Sequence, residues 1–92
     1  MERFNAAVIG AGGMGKVHVE AALASPYVKE LYVVDPDQER IKLWQGESRL
    51  KSASMEQILK DPSVRFVTVA TPNHLHLEHA GAAMKCGKAV LC

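Results

Sequence analysis

The sequence predicts an α/β fold, a doubly wound parallel sheet of about five strands with helices on both faces. Three observations carry this. Short β-rich runs alternate with helix-patterned segments from end to end. The runs are near-continuously apolar instead of alternating, as strands buried on both faces require. A glycine cluster stands directly behind the first run, where a strand would turn into a helix. Alternation at this spacing means βαβ units, and the connection rules order the strands 3-2-1-4-5.

Taken in order, residues 5–9 (NAAVI) form the first strand. The first helix follows, with Gly15, Val19, Ala22 and Leu23 on one face, and Ser25-Pro26 ends it because proline cannot continue a helix. Residues 29–35 (KELYVVD) form the second strand. A helix over about 37–45 is expected next, with Asp35-Pro36 as N-cap and N1 and Gly46 past its end. Residues 49–53 are a weaker strand candidate. Ser54-Met55-Glu56-Gln57 reads as a capping box opening the third helix, which stops before Asp61-Pro62. Residues 64–71 (VRFVTVAT) make the strongest strand. The fourth helix runs over about 74–86 with His76, Ala80, Ala83 and Met84 on one face and Gly87 as its left-handed terminator, and residues 88–92 (KAVLC) form the last strand.

Composition narrows the function classes. The chain has 92 residues, 48% hydrophobic and 23% charged, with a formal net charge of +1. That charge gives no reason to expect a nucleic-acid or anionic-membrane partner. No apolar run approaches the ~18–20 residues of a membrane span, and no secretory leader is visible at the amino terminus. Cys86 and Cys92 are isolated thiols and not a disulfide framework, so a cytoplasmic location is expected.

The informative motif is Gly10-Ala11-Gly12-Gly13-Met14-Gly15, which fits G-x-G-x-x-G with Gly10, Gly12 and Gly15. It follows a predicted strand and opens a predicted helix, and Asp35 ends the next strand 20 residues after Gly15. That is the context of a dinucleotide-binding, Rossmann-like fingerprint. Gly10 permits the tight turn, Gly12 lets a pyrophosphate approach the backbone, and Gly15 allows close packing of helix on strand. Free amides at the helix start then face the phosphates. Gly13 adds conformational freedom, and Met14 stands where its side chain could lie over a cofactor. The bland alternative is a tight turn and nothing more.

Asp35 can accept hydrogen bonds from both adenosine ribose hydroxyls and would repel a 2′-phosphate, favouring NAD over NADP. Its alternative role is to cap the following helix. Arg40 could stack on the adenine, or pair with Asp37 at i, i+3 on the surface.

Thr71-Pro72-Asn73-His74-Leu75-His76 follows the strongest strand, at the end of the sheet where open α/β folds bind ligands. A metal site at His74, His76 and His79 is not expected, because His74 and His76 diverge around a helix and no carboxylate or cysteine completes the ligand set. His76 is either a packed core histidine or a cofactor contact. His18 reads as a packing residue. Cys86 lies near a helix carboxyl end, where the dipole disfavours a thiolate.

Through VIGAGGMGKVHVEAAL, VVDPDQER, FVTVATPNHLHLEHA and GKAVLC, the sequence resembles the amino-terminal domain of the glucose–fructose oxidoreductase/inositol dehydrogenase/MocA family. The resemblance covers essentially the whole chain, and the segment from Thr71 to His76 is its most specific part. It implies that Thr71, Pro72, Asn73 and His76 border the nicotinamide end of the cofactor. It also implies an NAD(P)-dependent oxidoreductase of sugars, inositols and related polyols. In that family the last strand here runs into a Glu-Lys-Pro motif, whose lysine lies near substrate, and then into a second α/β domain. Neither lies within residues 1–92, so the chain is expected to be an incomplete NAD(P)-binding domain, part of a longer reading frame, with no catalytic residue of its own.

The expected partners are a dinucleotide, a polyol or sugar only in a full-length form, and a second copy as homo-oligomer. Two other functions fit the same residues. One is a non-catalytic module or regulator that senses a dinucleotide, since fold does not fix function. The other is a dihydrodipicolinate-reductase-like enzyme, which the Thr71–His76 segment ranks lower.

Overall fold

A computed structural model of the chain describes residues 3–10, 12–70 and 73–91. Five strands, β1 (Phe4–Ile9), β2 (Val28–Val34), β3 (Leu50–Ser52), β4 (Val64–Val69) and β5 (Ala89–Leu91), form one sheet. Between them lie α1 (Met14–Ala24), α2 (Gln38–Ile41), α3 (Met55–Lys60) and α4 (Asn73–Lys85). The sheet order is β3-β2-β1-β4-β5, with every neighbouring pair parallel. This is the order expected from the sequence. The chain steps outward from β1 in one direction through β2 and β3, then returns to the other side of β1 with β4 and β5. The reversal leaves a switch point between β1 and β4 at their carboxyl ends, where helices diverge to opposite faces and leave a crevice.

The core explains why the strands read as continuous apolar runs. Ala6 and Val8 of β1 pack on one face with Leu31 and Val33 of β2, Val19 of α1 and Ile41 of α2. Ala7 and Ile9 pack on the other face with Val67 and Val69 of β4, Ile58 of α3, and Ala80 and Ala83 of α4. Alternate residues over Ala6–Ile9 thus serve two different cores, so all four are apolar. Each fully buried valine, leucine or isoleucine contributes about 1.5–3 kcal/mol by leaving water.

The capping box of α3 forms as expected. The Gln57 amide donates to Ser54 Oγ (3.2 Å), and the Ser54 amide donates to Gln57 Oε1 (2.8 Å). Gly87 carries the left-handed φ of 77° past α4.

Three expectations need correction. The second helix is four residues of α-helix followed by a 3-10 turn, Lys42–Trp44, and its N-cap is Asp37, not Asp35. The Asp35 side chain accepts the Asp37 amide (2.8 Å), and this local turn delays the helix by two residues and leaves Pro36 outside it. Met84 is 59% exposed, because the buried stripe of α4 is set by Ala80 and Ala83, and Met84 sits at its solvent edge. The third, fourth and fifth strands are shorter than the runs that marked them; β4 ends at Val69, and Cys92 lies outside the described residues.

Candidate functional site

The end of β1 is held on both sides. The Gly10 amide donates to the Val34 carbonyl of β2 (2.7 Å), and the Ala70 amide donates to the Ile9 carbonyl (2.8 Å). The glycine loop rises from this point. Gly13 has φ 54° and ψ −118°, a conformation that side chains disfavour, and it forms the N-cap of α1. No side chain caps this helix, and its first turn has no acidic residue. The Gly15 amide donates to the Gly12 carbonyl (2.9 Å), and the helix dipole at this uncapped start favours an anion.

Gly15 is required by contact and not by dihedral angle. A Cβ there would lie 1.8 Å from the Gly10 carbonyl oxygen and 2.7 Å from its carbon. The first turn of α1 is pressed onto the end of β1, as the third glycine of the motif predicts. Gly12 has a side-chain neighbour from α2. A Cβ there would lie 2.9 Å from Arg40 Nη1 and 3.0 Å from Arg40 Cζ, so the guanidinium of α2 rests on the bare Gly12 backbone.

Asp35 follows β2 directly, and its side chain is only 2% exposed. One oxygen, Oδ1, accepts the Asp37 amide, while Oδ2 lies 3.6 Å from Arg40 Nη1. Arg40 Nε is 3.6 Å from Asp37 Oδ2. Of the two roles weighed for Arg40, the structure contains the surface pair with Asp37, and it adds a pairing with Asp35 that sequence reasoning missed. Gln38 Nε2 donates to the Asp35 carbonyl (3.0 Å) and Ser52 Oγ donates to Gln38 Oε1 (3.3 Å), tying α2 to β3. A shallow depression of about 530 Å³ opens beside Asp35, bounded by Val34, Pro36, Ser52, Ser54 and Gln57. Gly10, Gly12, Gly13, Gly15, Asp35 and Arg40 are thus brought together at the carboxyl ends of β1 and β2.

On the β4 side the description is thinner. Thr71 and Pro72 lie outside the described residues. Asn73 and His76 lie in α4, which starts beside the switch point, and their side chains, like that of Met14, are outside what is described. His18 and His79 are half-buried, and no group of three metal-ligating side chains occurs among the described residues. No helix among them is long and apolar enough to cross a membrane.

The family model for oxidoreductases with an NAD-binding Rossmann fold, GFO_IDH_MocA, matches residues 4–92. The chain belongs to this family. Levoglucosan dehydrogenase of Pseudarthrobacter phenanthrenivorans is 32% identical over 102 residues, covering 100% of this chain and 26% of that protein. The rhizopine catabolism protein MocA of Rhizobium meliloti is 32% identical over 93 residues, covering 100% of this chain and 29% of that protein. Among solved structures, GenD2 from gentamicin A biosynthesis, crystallised with NAD, superposes with a TM-score of 0.86 at 35% identity, covering 98% of this chain and 26% of that one. The chain spans about a quarter of the length of these Gfo/Idh/MocA relatives. The matched quarter is the family's NAD-binding Rossmann domain. The residues present fit a dinucleotide: an uncapped helix start, a loop in which a Cβ at Gly15 finds no room, and a buried carboxylate at the end of β2.

Proposed function

We propose that residues 1–92 are the cofactor-binding part of an oxidoreductase that transfers a hydride between nicotinamide C4 and a carbon of a sugar, inositol or related polyol, with NAD preferred over NADP. The observation that carries this reading is the uncapped start of α1 beside the buried Asp35. In it, Gly10, Gly12, Gly13 and Gly15 shape the pyrophosphate cradle, and the Met14 backbone begins the helix that faces it. Asp35 accepts the adenosine ribose hydroxyls, and its charge disfavours a 2′-phosphate. Arg40 lines the adenosine half. Thr71, Pro72, Asn73 and His76 border the nicotinamide half, which supplies the carbon that exchanges hydride when the cofactor is bound.

Support for the substrate class comes from relatives: a levoglucosan dehydrogenase and, at 31% identity, the 1,5-anhydro-D-fructose reductase of Ensifer adhaerens both act on sugar derivatives by name. The test is a titration of the chain with NADH and NADPH at one salt concentration, read by cofactor fluorescence. Tighter NADH binding supports the reading. Equal or tighter NADPH binding removes the role given to Asp35, and no binding of either removes the proposed function.

A further inference from the structure

We infer that Asn5 is a positioning residue for the dinucleotide site, acting from the opposite end of the sheet by fixing where the register of β1 changes. The inference rests on the dinucleotide reading above and deepens it. Asparagine is depleted in strands, yet one stands in the central strand. The pairing changes around it. From Phe4 to Ala6, β1 advances two residues while β2 advances three, from Val28 to Leu31. From Asn5 to Ala6, β1 advances one residue while β4 advances two, from Val64 to Phe66. Both neighbours thus take up one extra residue at the same level of β1. From Ala6 to Ile9 the register is unbroken on both sides. That stretch ends where the Gly10 amide meets the Val34 carbonyl and the Ala70 amide meets the Ile9 carbonyl. It therefore sets the glycine loop level with Asp35, the residue after β2.

The Asn5 side chain bridges both irregularities. The Glu30 amide of β2 donates to Asn5 Oδ1 (3.1 Å), and Asn5 Nδ2 donates to Ser63 Oγ (2.9 Å), next to the start of β4. The chemistry selects a carboxamide. A backbone amide can only donate, so the β2 side needs an oxygen. The Ser63 hydroxyl gives its hydrogen to Asp61 Oδ1 (2.6 Å), so it is left to accept, and the β4 side needs an N–H. Asparagine supplies both from one short side chain, whereas aspartate supplies only the first. With the extra residues held at Asn5, the four residues that lead to the glycine loop stay regular. An irregularity that moves toward the carboxyl end puts Ala6 and then Ala7 out of step, by about 3.3 Å per residue. The site at the far end then loses the alignment of its two halves.

The test joins amide exchange with cofactor binding on the 92-residue chain. Hydrogen exchange by NMR, NADH titrations and urea midpoints are measured for the unaltered protein, Asn5→Ala, Asn5→Asp and the core control Ile58→Val. In Asn5→Ala, the Gly10 and Ala70 amides lie about 15 Å along the sheet from the substitution, yet are expected to lose more protection than the urea midpoint accounts for. NADH affinity of the folded variant is expected to fall about threefold or more. Ile58→Val lowers the midpoint from inside the core; there both amides are expected to follow the midpoint, and NADH affinity to stay within about twofold. In Asn5→Asp, which gives up only the bond to Ser63, Ala70 is expected to lose more protection than Gly10. Exchange at Gly10 and Ala70 that follows the midpoint in Asn5→Ala, or NADH affinity that does not change there, overturns the inference. If Asn5→Ala does not fold, Asn5→Asp decides it: equal loss at the two amides, or none, overturns the inference. Failure of the unaltered chain to bind NADH defeats the proposed function itself, a result separate from the exchange pattern.

Discussion

Gly15 and Gly81 separate two kinds of glycine. An alanine at Gly15 would put its Cβ 1.8 Å from a backbone oxygen that cannot turn aside. Gly15→Ala is expected to destabilise the fold by about 1–3 kcal/mol and to weaken dinucleotide binding, as the start of α1 is pushed off β1. Gly81 lies within α4 with nothing within 4 Å of a built Cβ, so Gly81→Ala is expected to raise stability by about 0.4–1 kcal/mol. Urea midpoints at constant m-value check both. Gly12 is a third case. Its Cβ would meet the far end of the Arg40 side chain, which can move, so Gly12→Val is expected to leave the circular dichroism spectrum intact while abolishing cofactor binding. A folded Gly12→Val variant that binds normally would show that this loop does not cradle phosphate. The place of Gly15 was legible because its offset from Gly10 is fixed by the turn. The contact of Arg40 with Gly12 was not, because it joins the glycine loop to α2, which only the folded sheet brings together.

At the level of elements, the caps and stops were legible where they rest on local chemistry. Ser54 and Gln57 form their box because both partners lie within one turn, and Ser54→Ala is expected to cost about 0.5–2 kcal/mol. The start of α2 was misread because Asp35 has two competing local roles, and the turn to the Asp37 amide won. Lys88 was read only as the first residue of the last strand, and the role of its side chain was not legible. Its side chain is buried, and Nζ donates to the Asp61 carbonyl (2.7 Å) and the Val64 carbonyl (2.8 Å), which ties the entry of β5 to the turn between α3 and β4. Only the folded sheet brings residues 61 and 88 together. Lys88→Met is expected to lower stability by about 1–3 kcal/mol by leaving those carbonyls without their ammonium donor. The same turn shapes the acid response. Hydrogen bonds from the Ser63 hydroxyl (2.6 Å) and amide (2.9 Å) hold the Asp61 carboxyl below its ordinary 3.8. Bonds from Lys51 and Tyr32 hold Glu30 below 4.5. Both groups favour the folded state when ionised. Their contribution is complete above the ordinary values and is lost as pH falls through the lowered ones. The urea midpoint is therefore expected to hold steady down to about pH 5 and decline below it, with a shallower decline in Asp61→Asn.

The architecture of the whole molecule was the most legible level, because strand order follows from repeated βαβ units and a single reversal, and each unit announces itself by its own apolar run. What that architecture is expected to do alone is bind a dinucleotide without turnover. Hydride transfer requires the substrate carbon within about 3–3.5 Å of the nicotinamide and a group that carries the hydroxyl proton within hydrogen-bond reach. The described residues gathered at the carboxyl ends of β1 and β2 are chiefly glycines, Arg40, and the carboxylates of Asp35 and Asp37 that both pair with it, a set suited to a dinucleotide. The relatives that the chain matches are about four times longer. The 92-residue chain is therefore expected to bind NADH and to gain stability from it, by about 2.7 kcal/mol at a hundredfold excess over Kd, yet to show no turnover with NAD and a panel of inositols and sugars. Thermal melts with and without NADH, run beside a coupled turnover assay on the same preparation, separate the two halves of this expectation. A melt that NADH does not shift would remove the binding site. Turnover by the homogeneous chain would require a catalytic group among His18, His74, His76 and His79, and His→Ala variants of each would then identify it.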